Sequence, residues 1–264
     1  LVLFLRFIVD LNKLLFDKTK FSLMAGPCSI ESEEHFQKTA TYVKEAGAQI
    51  LRGGIYKLRT SKDSFQGLGL EAYELANKVR KNMDMPFVTE ITDPRQTSAL
   101  AEVTDIFQVG SRNMYNYDLL KELSLGDKPV LLKRGFSATV DEWVKAAEYV
   151  EANGTAKALL CERGIRSFDN TTRNVLDLAS VAYLKQHTHY PVIVDPSHAT
   201  GRRDLIIPMS LAAVAAGADG LIVETHPTPE NAMSDGFQSL NPEEFRELTE
   251  KLKGILKLFN RELF

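Results

Sequence analysis

The sequence predicts an α/β protein built as one (β/α)8 TIM barrel with a short N-terminal extension, and three observations carry that reading. Eight short apolar runs recur, at 21–25, 49–51, 87–90, 106–109, 130–133, 158–161, 192–195 and 221–224. Segments of helical period lie between them, the alternation expected of βαβ units closed into a parallel barrel of about 250 residues. Chemically rich residues gather just after the runs, most densely in PVIVDPSHATGRR at 191–203. A doubly wound open sheet would place a glycine-rich phosphate turn after its first strand, and AGPCSIES at 25–32 is not one.

Taken in order, the first 16 residues are apolar but interrupted by Arg6, Asp10 and Lys13. They are too short and too charged for a membrane span, and no small-residue cleavage site follows. Residues 1–20 are expected to form an extension that covers a barrel end or makes a subunit contact, with 21–264 as the catalytic barrel. Phe36, Ala40 and Val43 share one helical face, as do Val140, Val144 and Ala147, and then Phe245, Leu248, Leu252, Ile255 and Phe259. Asp93-Pro94 and Asn241-Pro242 set a capping side chain before a proline suited to the first helical turn, and Thr139 with Glu142 reads as a capping box. Val192-Ile193-Val194 is a strand buried on both faces, and Pro196 stops it near Asp195.

Composition narrows the class. A net charge of −3 over 264 residues gives no global basic field for nucleic acid or acidic membranes. Two cysteines, Cys28 and Cys161, make no disulfide framework and suit a reducing, cytoplasmic setting. No further fused domain of about 70–100 residues is expected.

Two populations separate at the strand ends. Cys28, His198, Glu224 and Asp235 are candidate metal ligands scattered through the chain. Arg52, Lys57, Arg59, Arg112, Lys133, Arg163 and Arg202 are cations, a ring that needs anions to neutralise it and whose guanidinium forks suit phosphate and carboxylate. Glu90 and Glu162 read as partners for these cations, and His226 as a hydrogen-bonded structural histidine.

At these residues the chain resembles a known family. AGPCSIES (25–32), LRGG (51–54), KLRTS (57–61), SFQGLG (64–69), LLKRG (131–135), LLCERGIRSF (159–168), VDPSHATGRR (194–203) and SDG (234–236) are similar to 3-deoxy-D-arabino-heptulosonate 7-phosphate (DAHP) synthase. The likeness is to its short type Iβ form without a regulatory domain, kin to 3-deoxy-D-manno-octulosonate 8-phosphate synthase. It implies condensation of phosphoenolpyruvate with D-erythrose 4-phosphate, the first step of the shikimate pathway toward aromatic amino acids. One divalent ion (Mn, Fe, Co or Zn) is implied at Cys28, His198, Glu224 and Asp235; metal-independent relatives carry Asn at the cysteine position. Arg112 and Arg163 are implied to hold the phosphate of phosphoenolpyruvate, and Lys133, Lys57 and Arg52 to lie near its carboxylate. Arg59 and Thr60 would meet the sugar phosphate, and Asp195 the reacting carbons. Lys57 is the expected proton donor, and Glu90 or Asp195 the group that handles the proton of the attacking water.

The loop Lys57-Leu58-Arg59-Thr60 keeps the spacing of the Lys-Pro-Arg-Thr pattern of the heptulosonate enzymes, with leucine for proline. The octulosonate enzymes, which take arabinose 5-phosphate, carry Lys-Ala-Asn-Arg there and are the alternative reading. The resemblance further implies a homotetramer or homodimer, with no membrane or nucleic-acid partner.

Overall fold

The computed structural model describes residues 10–58, 63 and 65–263. The chain order is α1 (Leu11–Phe16), β1 (Lys20–Gly26), α2 (Glu33–Ala46), β2 (Ile50–Arg52), α3 (Glu71–Met83), β3 (Phe87–Ile91), α4 (Thr97–Ala101), β4 (Ile106–Val109), α5 (Tyr117–Ser124), β5 (Val130–Lys133), α6 (Val140–Val150), β6 (Ala158–Glu162), α7 (Leu178–His187), β7 (Val192–Val194), α8 (Pro196–Thr200), α9 (Arg203–Ala215), β8 (Gly220–Glu224), α10 (Pro242–Leu258) and β9 (Glu262–Leu263). All strand pairs are parallel. β1 pairs with both β8 and β2, which closes the eight-stranded barrel. The two-residue β9, which the apolar pattern does not announce, adds beside the start of β1.

The strands obey a period of two on both faces. Leu23, Leu51, Phe87, Phe107, Leu132, Leu160, Val192 and Leu221 face the helices and join one core. Their neighbours Met24, Ile50, Val88, Ile106, Leu131, Leu159, Cys161, Ile193 and Ile222 point inward and form a second core. Because both faces are covered, the strands read as continuous apolar runs rather than alternating ones. Leu14 and Leu15 of α1 belong to the inner core, so this short helix plugs the N-terminal end of the barrel. The serine hydroxyl of Ser22, inside the barrel, donates to the Leu14 carbonyl at 2.6 Å and fixes the plug. The part of the extension before residue 10 lies outside the described residues.

Two helix faces differ from the sequence pattern. In α6 the buried residues are Trp143, Ala146, Ala147 and Val150, whereas Val140 and Val144 are half-buried. The Trp143 indole turns the helix, because its N–H donates to the Leu132 carbonyl at 3.0 Å in the core. In α10, Leu256 rather than Ile255 completes the buried face, and Phe259 lies past the helix end, 45% exposed. The expected caps hold at Thr139 and Asn241, each with its glutamate reaching back. Asp93-Pro94 starts a 3-10 turn that runs into α4. Among the described residues no helix is long and apolar enough to cross a membrane.

The plug can be weighed directly. Leu14→Ala should lower the unfolding free energy by about 2–4 kcal/mol in chemical denaturation, the usual cost of a buried leucine truncation. A loss below about 1 kcal/mol would mean that α1 contributes little to the closed end.

Candidate functional site

The inward face of the barrel turns from apolar to charged in a single step. Two residues beyond each inward hydrophobic side chain, on the same face, stands a polar one: Arg52 after Ile50, Glu90 after Val88, Gln108 after Ile106, Lys133 after Leu131. Around the remaining strands Arg163 follows Cys161, Asp195 follows Ile193 and Glu224 follows Ile222. All are buried or nearly so; Arg52, Lys133, Arg163, Asp195 and Glu224 are at most 4% exposed. β1 contributes Gly26 instead, since a Cβ there would sit 2.0 Å from the Arg52 carbonyl oxygen. Gly110 is likewise a close approach, where a Cβ would meet the Glu90 carboxylate at 2.2 Å.

One side of this ring is a donor cluster. The ligand atoms of Cys28, His198, Glu224 and Asp235 all lie within 4.8 Å of one another, although the four residues come from separate stretches of the chain. The Cys28 thiol donates to Asp235 at 3.1 Å, and His198 Nε2 stands 3.2 Å from Glu224 Oε1. The Lys57 ammonium rests against the Cys28 sulfur and lies 2.5 Å from Asp235 Oδ2. Glu224 is steadied by Arg52 at 2.9 Å and by the Gln238 amide at 2.6 Å. His198 sits in α8, whose N-cap is Asp195. The Asp195 carboxylate accepts from the His198 backbone N–H at 2.9 Å, pairs with Lys133 at 2.6 Å, and approaches His198 Nδ1 at 2.8 Å.

Burial and charge set the ionisation. Burial, with the Glu224 charge beside it, pushes the Cys28 thiol up to about 12. Burial opposes ionisation of Asp235, Glu224 and Asp195, yet Lys57 for the first and His198 for the other two hold all three below the usual carboxylate range. Glu90 is the exception: its burial outweighs the surrounding cations and raises it. A soft sulfur, an imidazole and two carboxylates meeting at one point form a donor set able to hold a divalent cation.

The cluster borders a cavity of about 310 Å³ whose other walls carry Arg52, Lys57, Arg112, Lys133, Arg163 and Arg173. Phe136 lies at its rim with three guanidiniums over its ring: Arg163 at 4.8 Å, Arg166 at 5.1 Å and Arg112 at 5.4 Å from the centroid. Three like charges share one quadrupole, which holds them together and fixes their direction.

Residues 10–260 match the family model described as the DAHP synthetase I family. The chain belongs to this family. It is 47% identical over 248 residues to the phospho-2-dehydro-3-deoxyheptonate aldolase of Thermotoga maritima, covering 94% of this chain and 73% of that protein. It is 35% identical over 234 residues to the 2-dehydro-3-deoxyphosphooctonate aldolase of Acidithiobacillus ferrooxidans, covering 82% of each. The crystal structure of the Thermotoga maritima DAHP synthase superposes with a TM-score of 0.90 at 45% identity, covering 93% of this chain and 72% of that one. A truncated form of the Thermotoga maritima enzyme gives 0.86 at 43% identity, covering 93% and 90%.

Most residues singled out in the sequence of this DAHP synthetase family member meet in the cavity: Cys28, Arg52, Lys57, Glu90, Arg112, Lys133, Arg163, His198 and Asp235 line it, while Asp195 and Glu224 stand behind them. Arg59 and Thr60 lie outside the described residues. Arg202 does not join the ring. It is half-exposed and pairs with Asp204, because the turn after α8 carries it past the barrel mouth. Glu162 does pair with a cation, but it is the outward-facing Arg134, at 2.9 Å. Gln108, Phe136, Arg173 and Gln238 were not anticipated. Gln108 was readable two positions beyond Ile106; the other three sit in loops where no spacing marks them.

Phe136→Leu should weaken inorganic phosphate binding about five- to tenfold by calorimetry, and Phe136→Tyr should restore it. Equal affinities for all three proteins would remove the aromatic ring from the anion site.

Proposed function

We propose that this chain condenses phosphoenolpyruvate with D-erythrose 4-phosphate and water to 3-deoxy-D-arabino-heptulosonate 7-phosphate and phosphate, the first step of the shikimate pathway. The convergence of Cys28, His198, Glu224 and Asp235 at the edge of a cation-lined cavity carries the reading. Its setting is a cytoplasmic homotetramer or homodimer, with 21–264 as the catalytic barrel and 1–20 as an extension that serves as barrel cap or subunit contact. The donor set suits a Mn, Fe, Co or Zn ion better than Mg. An ion held by Cys28, His198, Glu224 and Asp235 would supply Lewis acidity toward an aldehyde oxygen.

The chain's own residues divide the rest of the work. Arg112 and Arg163, converging over Phe136, take the phosphate of phosphoenolpyruvate. Lys133 and Arg52 face its carboxylate, and Arg59 with Thr60 takes the phosphate of the sugar. Lys57, poised between Cys28 and Asp235, donates a proton to the oxygen that was the aldehyde. Glu90 is better suited than Asp195 to accept the proton of the attacking water. Burial raises the Glu90 carboxyl against the surrounding cations and so makes it the stronger base of the two, whereas Asp195 is committed to Lys133 and His198 and held low. Asp195 then orients the two groups that it touches.

The test is phosphate release on mixing phosphoenolpyruvate with each sugar in turn. Erythrose 4-phosphate should support turnover at least about tenfold better than arabinose 5-phosphate; the reverse preference would move the assignment to the octulosonate reaction. Cys28→Ala should lose at least about 99% of kcat, and undiminished turnover in its chelator-stripped form would overturn the metal reading. Arg112→Ala should raise KM for phosphoenolpyruvate about tenfold or more while leaving KM for the sugar nearly unchanged.

The Cys28 thiol, pushed up to about 12, is protonated at neutral pH, so loading the donor set releases its proton. Ion affinity should therefore rise with pH across the range 6–9, by up to about tenfold per unit. Calorimetry in buffers of different ionisation enthalpy measures the released proton directly.

A further inference from the structure

A second cluster of donor groups stands outside the cavity. Glu31 follows β1, His35 lies in the first turn of α2 and His226 follows β8; their ligand atoms all lie within 4.8 Å of one another. The rings of His35 and His226 are 4.3 Å apart, tilted by 31°. Glu31 Oε1 accepts the Met233 backbone N–H at 2.8 Å, while Oε2 lies 3.4 Å from His226 Nε2. Both ring nitrogens of His35 are shut off from solvent and meet no hydrogen-bond partner within the protein. An imidazole buried in this way leaves a lone pair and an N–H unsatisfied, which is costly unless something binds there.

We infer that Glu31, His35 and His226 form a second cation site, selective for a borderline divalent ion such as Zn or Co. Two imidazoles and one carboxylate are a donor set such ions take, with water commonly completing the shell. Burial, then the neighbouring His226, lowers His35 to about 4, so its ring is neutral and its lone pair available at physiological pH. Glu31 is held below its ordinary range, against its burial, by His226 and the Met233 N–H and is ionised. The Thr228 N–H donates to His226 Nδ1 at 3.0 Å, which leaves the ring proton on Nε2. Coordination through Nε2 moves that proton to Nδ1 and gives up the Thr228 bond, so occupancy and that turn are linked. The bound ion joins the β1 loop, α2 and the β8 loop. Glu31 already holds Met233 in the β8 loop, two residues before Asp235, and Cys28 is three residues before Glu31. The site is separate from the proposed catalytic one and contains no thiolate, so its failure would leave the proposed function standing.

Ion content and cobalt spectra of the full chain test it. The wild-type chain should take up two Co ions, one of them giving a thiolate-to-cobalt absorption band in the near ultraviolet. Cys28→Ala should retain one ion and lack that band. His35→Phe, which keeps a ring against His226, should lose the ion that has no band, with affinity for it falling at least about hundredfold. His226→Gln should match His35→Phe. One ion per wild-type chain and none in Cys28→Ala would overturn the inference, as would a His35→Phe chain that still binds two.

Discussion

The alternation of side chains along eight parallel strands is the constraint from which both the stability and the chemistry of this barrel follow. Once Met24, Ile50, Val88 and their counterparts face inward, the period of two leaves no choice about the next inward position. It falls at the strand ends, and there the sequence changes from hydrocarbon to Arg52, Glu90, Gln108, Lys133, Arg163, Asp195 and Glu224. A one-residue register slip in any strand would bury a charge among helices and expose a hydrophobe to the cavity, so the apolar layer fixes the register of the charged one.

A ring of buried charges is costly, and its internal pairing offsets the cost. Lys133 with Asp195 and Arg52 with Glu224 are ion pairs with both side chains at most 5% exposed. Removing one partner of such a pair typically costs about 3–5 kcal/mol because the other is left buried and charged. The pairs are not redundant. Asp195 also caps α8 and faces the His198 ring; Glu224 also meets His198 and Gln238. Each acid therefore holds a cation and an imidazole in place together, and the donor cluster and cation wall form one electrostatic unit. Preorganisation of this kind places charge where a reaction needs it without movement at the moment of reaction.

Much of this was legible in the sequence because strand-end residues are marked twice, by an apolar run before them and by charge. Lys133, Asp195 and Glu224 needed only those two marks, whereas Cys28 and His198 stood out only in the company of the other strand-end groups. Gln108 lacks charge and falls inside its run, so its only mark is its place two positions beyond Ile106. Arg202 stands near the end of the marked stretch but lies beyond a helix of five residues, whose length turns it outward; Arg173, eleven residues from the end of β6, turns inward and bonds Gln238 at 3.0 Å. Loop residues are placed by tertiary contacts that no local period encodes. Phe136 was invisible for a different reason: an aromatic next to a glycine reads as core, and its role against Arg112, Arg163 and Arg166 exists only once three separate loops meet.

The same geometry explains why the two ends of the barrel are built so differently. At the N-terminal end nothing polar needs access, so α1 can seal it with Leu14 and Leu15 against the inner core. At the other end a lid of hydrocarbon would bury the cation wall without partners. The mouth is instead left open to anions, and the loops around it are tied by polar contacts, with Tyr42 bonded to Thr225 at 2.7 Å, Arg203 to the Gly236 carbonyl at 3.1 Å and Glu31 to Met233. These ties brace the segment that carries Asp235 through residues that do not line the cavity. They need not give way when a substrate enters, so the donor cluster can keep its geometry while the cations beside it exchange water for phosphate.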